Sequence, residues 1–341
     1  MKIRLACIGA GYFARFHIEA WKRLPEVELV AICDKDESKA NTLAEEFQVA
    51  KVYTDTNELL EREKFEVIDI ITPPETHLTL CEQFAQAGKN IICQKPLAPT
   101  LSEAQKLAKI ILASDVRFMV HENFRFQPWY RKMKALLQAE VVGNRIHNLQ
   151  IKMRMGDGWS KDAYSNRQPY FRQMPRLLIY ETGIHYIDVF RYLVGEIDSV
   201  YAQLRTFNPA IAGEDSALVF FEFQNGTQGL LDGNRYNEFN CEDARYTFGE
   251  TIIEGNKGTI RLYSNGRITV QKLGQKEEEI MYEHENKNFA GDCVYFTQQH
   301  FVQTFLNNAV FETNIKDYLN NVEIQEAIYE SNEKKSRIVI K

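Results

Sequence analysis

The segment Gly9-Ala10-Gly11-Tyr12-Phe13-Ala14 fits the pattern G-x-G-x-x-G/A and sits between an apolar run, Ile3–Ile8, and a helical stretch from Ala14 to Leu24. A strand that stops at a glycine, turns through a second and enters a helix opens a parallel βαβ unit. Gly9 permits the tight turn, and Gly11 lets the backbone approach a pyrophosphate. Ala14 allows close packing of helix on strand, and the helix N-terminus offers free N–H groups to phosphates. The next apolar run, Val27–Cys33, closes at Asp34, 20 positions after Ala14. A carboxylate at that spacing accepts ribose hydroxyls. The competing reading is a structural turn followed by an ordinary surface Asp. The strand–turn–helix context favours a dinucleotide site made by Gly9, Gly11, Tyr12, Phe13, Ala14, Asp34 and Lys35. Asp34 repels a 2′-phosphate, so NAD is expected in preference to NADP, although Lys35 softens that discrimination.

Alternation continues through the first part of the chain. Val67–Ile71, Asn90–Cys93 and Val116–His121 read as buried strands. Ser38–Phe47, His77–Ala87 and Ser102–Ala113 read as helices, the last with Ser102 as its N-cap. Repeated βα units imply a parallel sheet with right-handed crossovers, a Rossmann fold. The rhythm then changes. Ile146–Met155, Ser199–Phe207, Asp215–Phe223, Thr227–Gly233, Thr247–Glu254, Gly258–Tyr263 and Arg267–Leu273 read as strands, with Asn225-Gly226 and Asn265-Gly266 as hairpin signals. One helix, about 177–193, interrupts them, and helices at 292–307 and 315–331 follow. The expected class is α/β: a Rossmann domain over residues 1–122 and an α+β domain over 123–341. The second domain carries a large, mostly antiparallel, open-faced sheet, and the C-terminal helices are expected to pack back on the first domain. An uncovered sheet face implies a homodimer or homotetramer.

Composition excludes other classes. The 341 residues carry a net charge of −6 and no long basic run, which argues against nucleic-acid binding driven by phosphate neutralisation. No segment approaches the roughly 20 apolar residues of a membrane span, and the N-terminus does not read as a signal peptide. The six cysteines show no C-x-x-C and no paired Cys/His spacing, so neither a zinc site nor a disulfide framework is expected. The expectation is a cytoplasmic protein with no metal and no membrane partner.

Four segments in order resemble the Gfo/Idh/MocA oxidoreductases, the family of glucose–fructose oxidoreductase and inositol dehydrogenase. They are the Gly-rich turn, Ile71-Thr72-Pro73-Pro74-Glu75-Thr76-His77, Gln94-Lys95-Pro96-Leu97, and Glu181-Thr182-Gly183-Ile184-His185-Tyr186-Ile187-Asp188. The resemblance covers nearly the whole chain. It departs at Gln94, where the family motif has Glu, and at Glu181, where the family pair has Asp. It implies that Thr72, Pro73, Pro74, His77, Gln94, Lys95 and Asn123 contact the cofactor, and that the Lys95–Pro96 bond can be cis. It also implies a hydride transfer from a sugar or polyol hydroxyl to nicotinamide C4.

The residue chemistry agrees with that assignment. Helical spacing puts Leu178, Glu181, His185, Asp188 and Tyr192 on one face, and Glu181 and His185 four residues apart. The plain alternative is a solvated face of an amphipathic helix. As a site, His185 is the general base, Glu181 orients its ring, and Lys95 stabilises developing alkoxide charge. Lys95-Pro96 follows a strand end, where parallel sheets place ligands. On the substrate side, Arg125 reads either as a ligand contact or as a surface ion pair. Trp159 reads as a stacking platform for a sugar or as a packing anchor. Arg167, Thr182, Tyr236, Lys95 and His185 complete the expected substrate set. The 156–170 loop and the run Arg176–His185 also resemble those of the family's D-apiose dehydrogenases, which ranks an aldose above an inositol. Two alternatives stay open: a nucleotide-sensing regulator on the same fold, and an NAD-dependent glycosidase.

Overall fold

The computed structural model describes residues 2–340. In its first part the elements are β1 (Ile3–Ile8), α1 (Ala14–Arg23), β2 (Val27–Cys33), α2 (Glu37–Phe47), β3 (Val52–Tyr53), α3 (Thr56–Arg62), β4 (Val67–Ile70), α4 (His77–Gln86), β5 (Asn90–Gln94), α5 (Leu101–Leu112) and β6 (Phe118–His121). The six strands are all parallel, in the order β3-β2-β1-β4-β5-β6. Val, Ile and Cys fill them because helices cover both faces, so β4 and β6 are buried along their whole lengths. Ile8 is in register with Cys33 and with Ile70, and Cys93 with both Ile70 and Val120. The strands therefore end level, with Gly9, Asp34, Ile71 and Lys95 near one edge. The strand order reverses between β1 and β4, which is where such sheets bind ligands.

One cap differs from the expectation. Helix α5 begins at Leu101 and is capped by Thr100, not Ser102. The Thr100 hydroxyl accepts the Glu103 N–H at 3.2 Å and donates to the Glu103 carboxylate at 2.9 Å. Thr100 precedes the first turn and so reaches a free N–H at the helix end, whereas Ser102 already lies inside that turn.

The second part contains α6 (Pro128–Gln138), β7 (Ile146–Arg154), a π-helical segment Leu178–Gly183 running directly into α7 (Ile184–Val194), β8 (Ile197–Arg205), β9 (Ser216–Phe223), β10 (Gln228–Asn234), β11 (Glu250–Gly255), β12 (Gly258–Leu262), β13 (Ile268–Lys272) and β14 (Glu278–Ile280). Helices α8 (Cys293–Leu306) and α9 (Ile315–Lys334) and strand β15 (Ile338–Val339) complete the chain. The second sheet has nine strands in the order β14-β13-β12-β11-β7-β10-β9-β8-β15, and only the β7–β10 pairing is parallel. Along β9 the burial alternates: Ala217, Val219, Phe221 and Phe223 are inside, whereas Leu218, Phe220 and Glu222 are exposed. Phe190 of α7 packs on Phe221 at 4.7 Å between ring centroids, so the helix covers the inner face.

The chain forms two compact units: one up to Asn123 together with Val294–Val322, the other Phe124–Cys293 together with the segment from Glu323. In the first, Arg117 donates to the carbonyls of Thr304, Phe305 and Ala309, and Thr313 exchanges two hydrogen bonds with Val120. No helix among the described residues is long and apolar enough to cross a membrane.

Candidate active site

In the first unit, Gly9 takes φ +104°, and its N–H donates to Cys33 O at 2.8 Å. A Cβ there would lie 2.7 Å from Ile71 O, so only glycine fits between β1 and β4. A Cβ at Gly11 would meet no heavy atom within 4 Å, which leaves open space beside that backbone. Ala14 is fully buried at the start of α1, Tyr12 is exposed, and Phe13 packs edge-on against His17. The Asp34 carboxylate accepts Ala10 N–H at 2.6 Å and Asp36 N–H at 2.8 Å. Both oxygens are thus held at the mouth of the Gly-rich turn, beside Lys35.

The loops after β4 and β5 are braced by one histidine. His77, fully buried, sets Nε2 2.8 Å from Thr72 O and Nδ1 3.1 Å from Leu97 O. Burial lowers its pKa against the pull of those carbonyls, and the ring sits between the Thr72-Pro73-Pro74 turn and the Lys95-Pro96-Leu97 turn with one nitrogen facing each. Thr72 and Thr76 share a hydroxyl–hydroxyl bond of 2.6 Å across the same turn. The Lys95–Pro96 peptide is cis, and the Lys95 N–H donates to the Gln94 side chain at 2.7 Å. Asn123 is buried, and its Oδ1 has no partner among the described residues. The open side of Gly11 and the unpartnered Asn123 acceptor suit a dinucleotide along this edge, which Gly9 to Ala14, Asp34, Thr72 to Pro74, Lys95 and Asn123 would hold, whereas both ends of the Gln94 amide are taken by Lys95 N and His17.

In the second unit the helix carrying Glu181 and His185 is not amphipathic in the solvated sense. Ile184 to Leu193 are buried apart from Tyr192, so the polar residues face protein partners instead of water. Asp188 receives a two-pronged ion pair from Arg125, at 2.7 and 2.6 Å, and both side chains are buried. Arg125 is therefore neither a surface ion pair nor a solvent-facing side chain; it clamps the helix from the segment ahead of α6. Tyr186 OH donates to Phe248 O at 2.6 Å, and Arg191 pairs with Glu196. The His185 ring stacks on Phe124 with centroids 4.0 Å apart and planes 5° from parallel, which fixes the imidazole plane.

Glu181 and Thr182 lie in the π-helical segment, whose wider turn alters the simple four-residue spacing expected between Glu181 and His185. Thr182 Oγ1 donates to Glu181 Oε2 at 3.0 Å and accepts from Arg235 Nη1 at 3.2 Å. The free N–H groups at the start of this segment are met by Glu214, whose carboxylate accepts from Leu177 and Ile179 N–H. Tyr329 OH donates to Glu214 at 2.7 Å and accepts Tyr180 N–H at 3.1 Å.

Arg235 is the residue that sequence reasoning underrated. It donates to Asp157 at 3.1 and 2.6 Å, lies 3.7 Å from Glu181, and covers the rings of Tyr164 and Phe171. Burial works against its charge, and Asp157 more than offsets that, raising its pKa. Arg167 adds a third bond to Asp157 at 3.1 Å. Tyr236, the next residue, faces the other way: it is exposed and meets Phe207 edge-on. The backbone alternation at a strand end would have separated the two. Trp159 is 58% exposed and so is not a packing anchor.

A parallel sheet with a glycine turn at its switch point and a second unit presenting a buried histidine helix defines a dinucleotide-binding oxidoreductase. Residues 3–122 match the model of an oxidoreductase family with an NAD-binding Rossmann fold, and residues 130–261 match the Gfo/Idh/MocA C-terminal domain. The chain belongs to the Gfo/Idh/MocA oxidoreductases, and its first unit is an NAD-binding domain. It is 30% identical to a D-apiose dehydrogenase of Rhizobium rhizogenes, over 97% of this chain and 95% of that one. A D-apiose dehydrogenase of Paraburkholderia graminis is 33% identical over 78% of this chain and 68% of its own. An oxidoreductase from Agrobacterium radiobacter, solved with NAD+, L-tartaric acid and magnesium, superposes with a TM-score of 0.92 at 28% identity, covering 100% of this chain and 99% of that one.

Proposed function

We propose that this chain oxidises the anomeric hydroxyl of an aldose to a lactone with NAD. The observation that carries this reading is its 30% identity to a D-apiose dehydrogenase along 95% of that enzyme's length. When bound, NAD supplies the hydride-accepting nicotinamide C4. His185 takes the hydroxyl proton, its ring plane held by Phe124. Glu181 stabilises the imidazolium that results, and Lys95 donates to the reacting oxygen. Thr182, Arg167 and Trp159 provide the polar and aromatic surface for a polyhydroxylated ligand, and Arg235 holds Thr182 and Glu181 in place. Around Asp157 the two guanidiniums of Arg167 and Arg235 balance the carboxylates of Asp157 and Glu181, which suits an uncharged sugar.

Asp34, with both oxygens already directed by backbone N–H groups, repels a 2′-phosphate, so kcat/KM with NAD exceeds that with NADP. Leu218 and Phe220 on the exposed side of β9 offer the surface for a homodimer or homotetramer, which sedimentation of Phe220→Glu against the parent chain tests. A panel of aldoses, polyols and glycosides, read by NADH absorbance and by sugar release, tests the activity. NADH formation with aldoses, D-apiose among them, is the expected result. NAD binding without turnover across the panel supports a regulator, and sugar release without NADH supports a glycosidase.

A further inference from the structure

The hydrogen bonds that run inward from Lys95 have a fixed polarity. A backbone N–H only donates, so the Gln94 atom 2.7 Å from Lys95 N is the amide oxygen. Gln94 Nε2 then faces His17 Nε2 at 2.9 Å and donates to it. His17 Nε2 is therefore an acceptor, and the ring proton sits on Nδ1, 2.8 Å from Asp69 Oδ2. The same carboxylate oxygen takes the Trp21 indole N–H at 2.6 Å. The links come from α1, β4 and β5, and His17 and Asp69 are completely buried. His17 is also flanked by the His121 ring from β6, at 4.0 Å, by Phe13 from the Gly-rich turn, and by Gln298 of α8, which bonds the His17 carbonyl.

We propose that His17 and Asp69 are positioning residues for Lys95, acting through Gln94, and that Gln94 is what lets the chain of bonds run with a neutral His17. The proposal rests on the reading of Lys95 as the residue that meets the substrate oxygen. A glutamate in place of Gln94 would accept from Lys95 N equally well. It would also present a carboxylate oxygen to His17 Nε2, which would then have to carry a proton. His17 would become a cation between two carboxylates, that of Asp69 and the introduced one. Gln94 therefore removes a charge from the site and hangs the Lys95 peptide on a ring nitrogen that accepts.

Nitrogen-15 spectra of the histidine-labelled protein test the polarity directly, with the His17 signal assigned by its loss in His17→Asn. The expected result is a neutral ring protonated at Nδ1; protonation at Nε2 overturns the proposal. Kinetics with NAD and D-apiose test its consequence. Gln94→Leu lowers kcat by at least about tenfold, because small misplacements of a catalytic group are costly. The KM for NAD changes by less than about twofold. The near-isosteric Gln94→Glu keeps its activity at low pH and loses it as pH rises and His17 gives up the added proton, a limb that the parent enzyme lacks. Parental kcat in Gln94→Leu, or an unchanged pH profile in Gln94→Glu, overturns the positioning role. Lys95→Ala separates the two readings. If it alone abolishes turnover while the Gln94 variants behave as the parent, the positioning role fails and the catalytic reading stands. If Lys95→Ala retains turnover, the catalytic reading fails and the positioning role with it.

Discussion

Lys95 and His185 are held by unlike surroundings. The Lys95 peptide hangs from an amide and an imidazole whose polarity ends at a single buried carboxylate, and its neighbouring turn packs around the buried His77 ring. The helix of His185 is clamped by guanidinium–carboxylate pairs: Arg125 on Asp188, Arg191 on Glu196, and Arg235 on Asp157 beside the π-helical segment. The difference follows from what each element must bridge. A parallel strand already fixes its end through the sheet, so short neutral bonds suffice to orient one peptide. A helix with most of its surface buried has no such ladder and is pinned from distant segments, where paired charges give direction that apolar contacts lack.

The comparison predicts unequal responses to mutation. The largest is at Arg125. Arg125→Ala leaves the buried Asp188 carboxylate without its partner and costs about 3–5 kcal/mol of stability. Denaturant unfolding checks this, and a loss below about 1 kcal/mol would place the hold on α7 elsewhere. Next is Glu214→Ala, which strips the acceptors from buried N–H groups of Leu177 and Ile179 and costs about 1–3 kcal/mol. It also lowers kcat with D-apiose, since the segment carrying Glu181 and Thr182 loses its anchor.

The smallest effect is pH-dependent. Burial alone would raise the Asp157 pKa, but the charge and bonds of Arg235, helped by Arg167, hold it below the usual carboxylate range. A lowered folded-state value means that the stabilisation is complete above the pKa of the unfolded carboxylate and is lost as pH falls through the folded value. Stability measured against pH should therefore fall less steeply on the acid side in Asp157→Asn than in the parent. An unchanged slope would show that Asp157 is not coupled to folding.

Legibility from sequence followed the same division. Strands β1, β2 and β4 announce themselves because each is an apolar run closed by a glycine, an Asp or a Thr-Pro, whereas the two-residue β3 is too short to show such a run. The second sheet is readable through alternation, as in Ala217 to Phe223. Helix α6 has no counterpart in the sequence reading: only Pro128, well suited to a first helical position, marks its start. The π-helical segment has no sequence period to betray it. His17 and Asp69 draw no attention in the sequence because their partners lie on separate elements, and Arg235 outranks Tyr236 only once the strand's facing is known. What the sequence conceals at His17, Asp69 and Arg235 is a long-range polar bond.

The most direct test of the account is the turnover of His185→Ala and Lys95→Ala with NAD and D-apiose beside the parent enzyme, with NAD binding measured in parallel. The account predicts an active parent, variants with kcat lowered at least about a hundredfold, and NAD affinity essentially retained in His185→Ala. A variant at His185 that turns over as fast as the parent would contradict it.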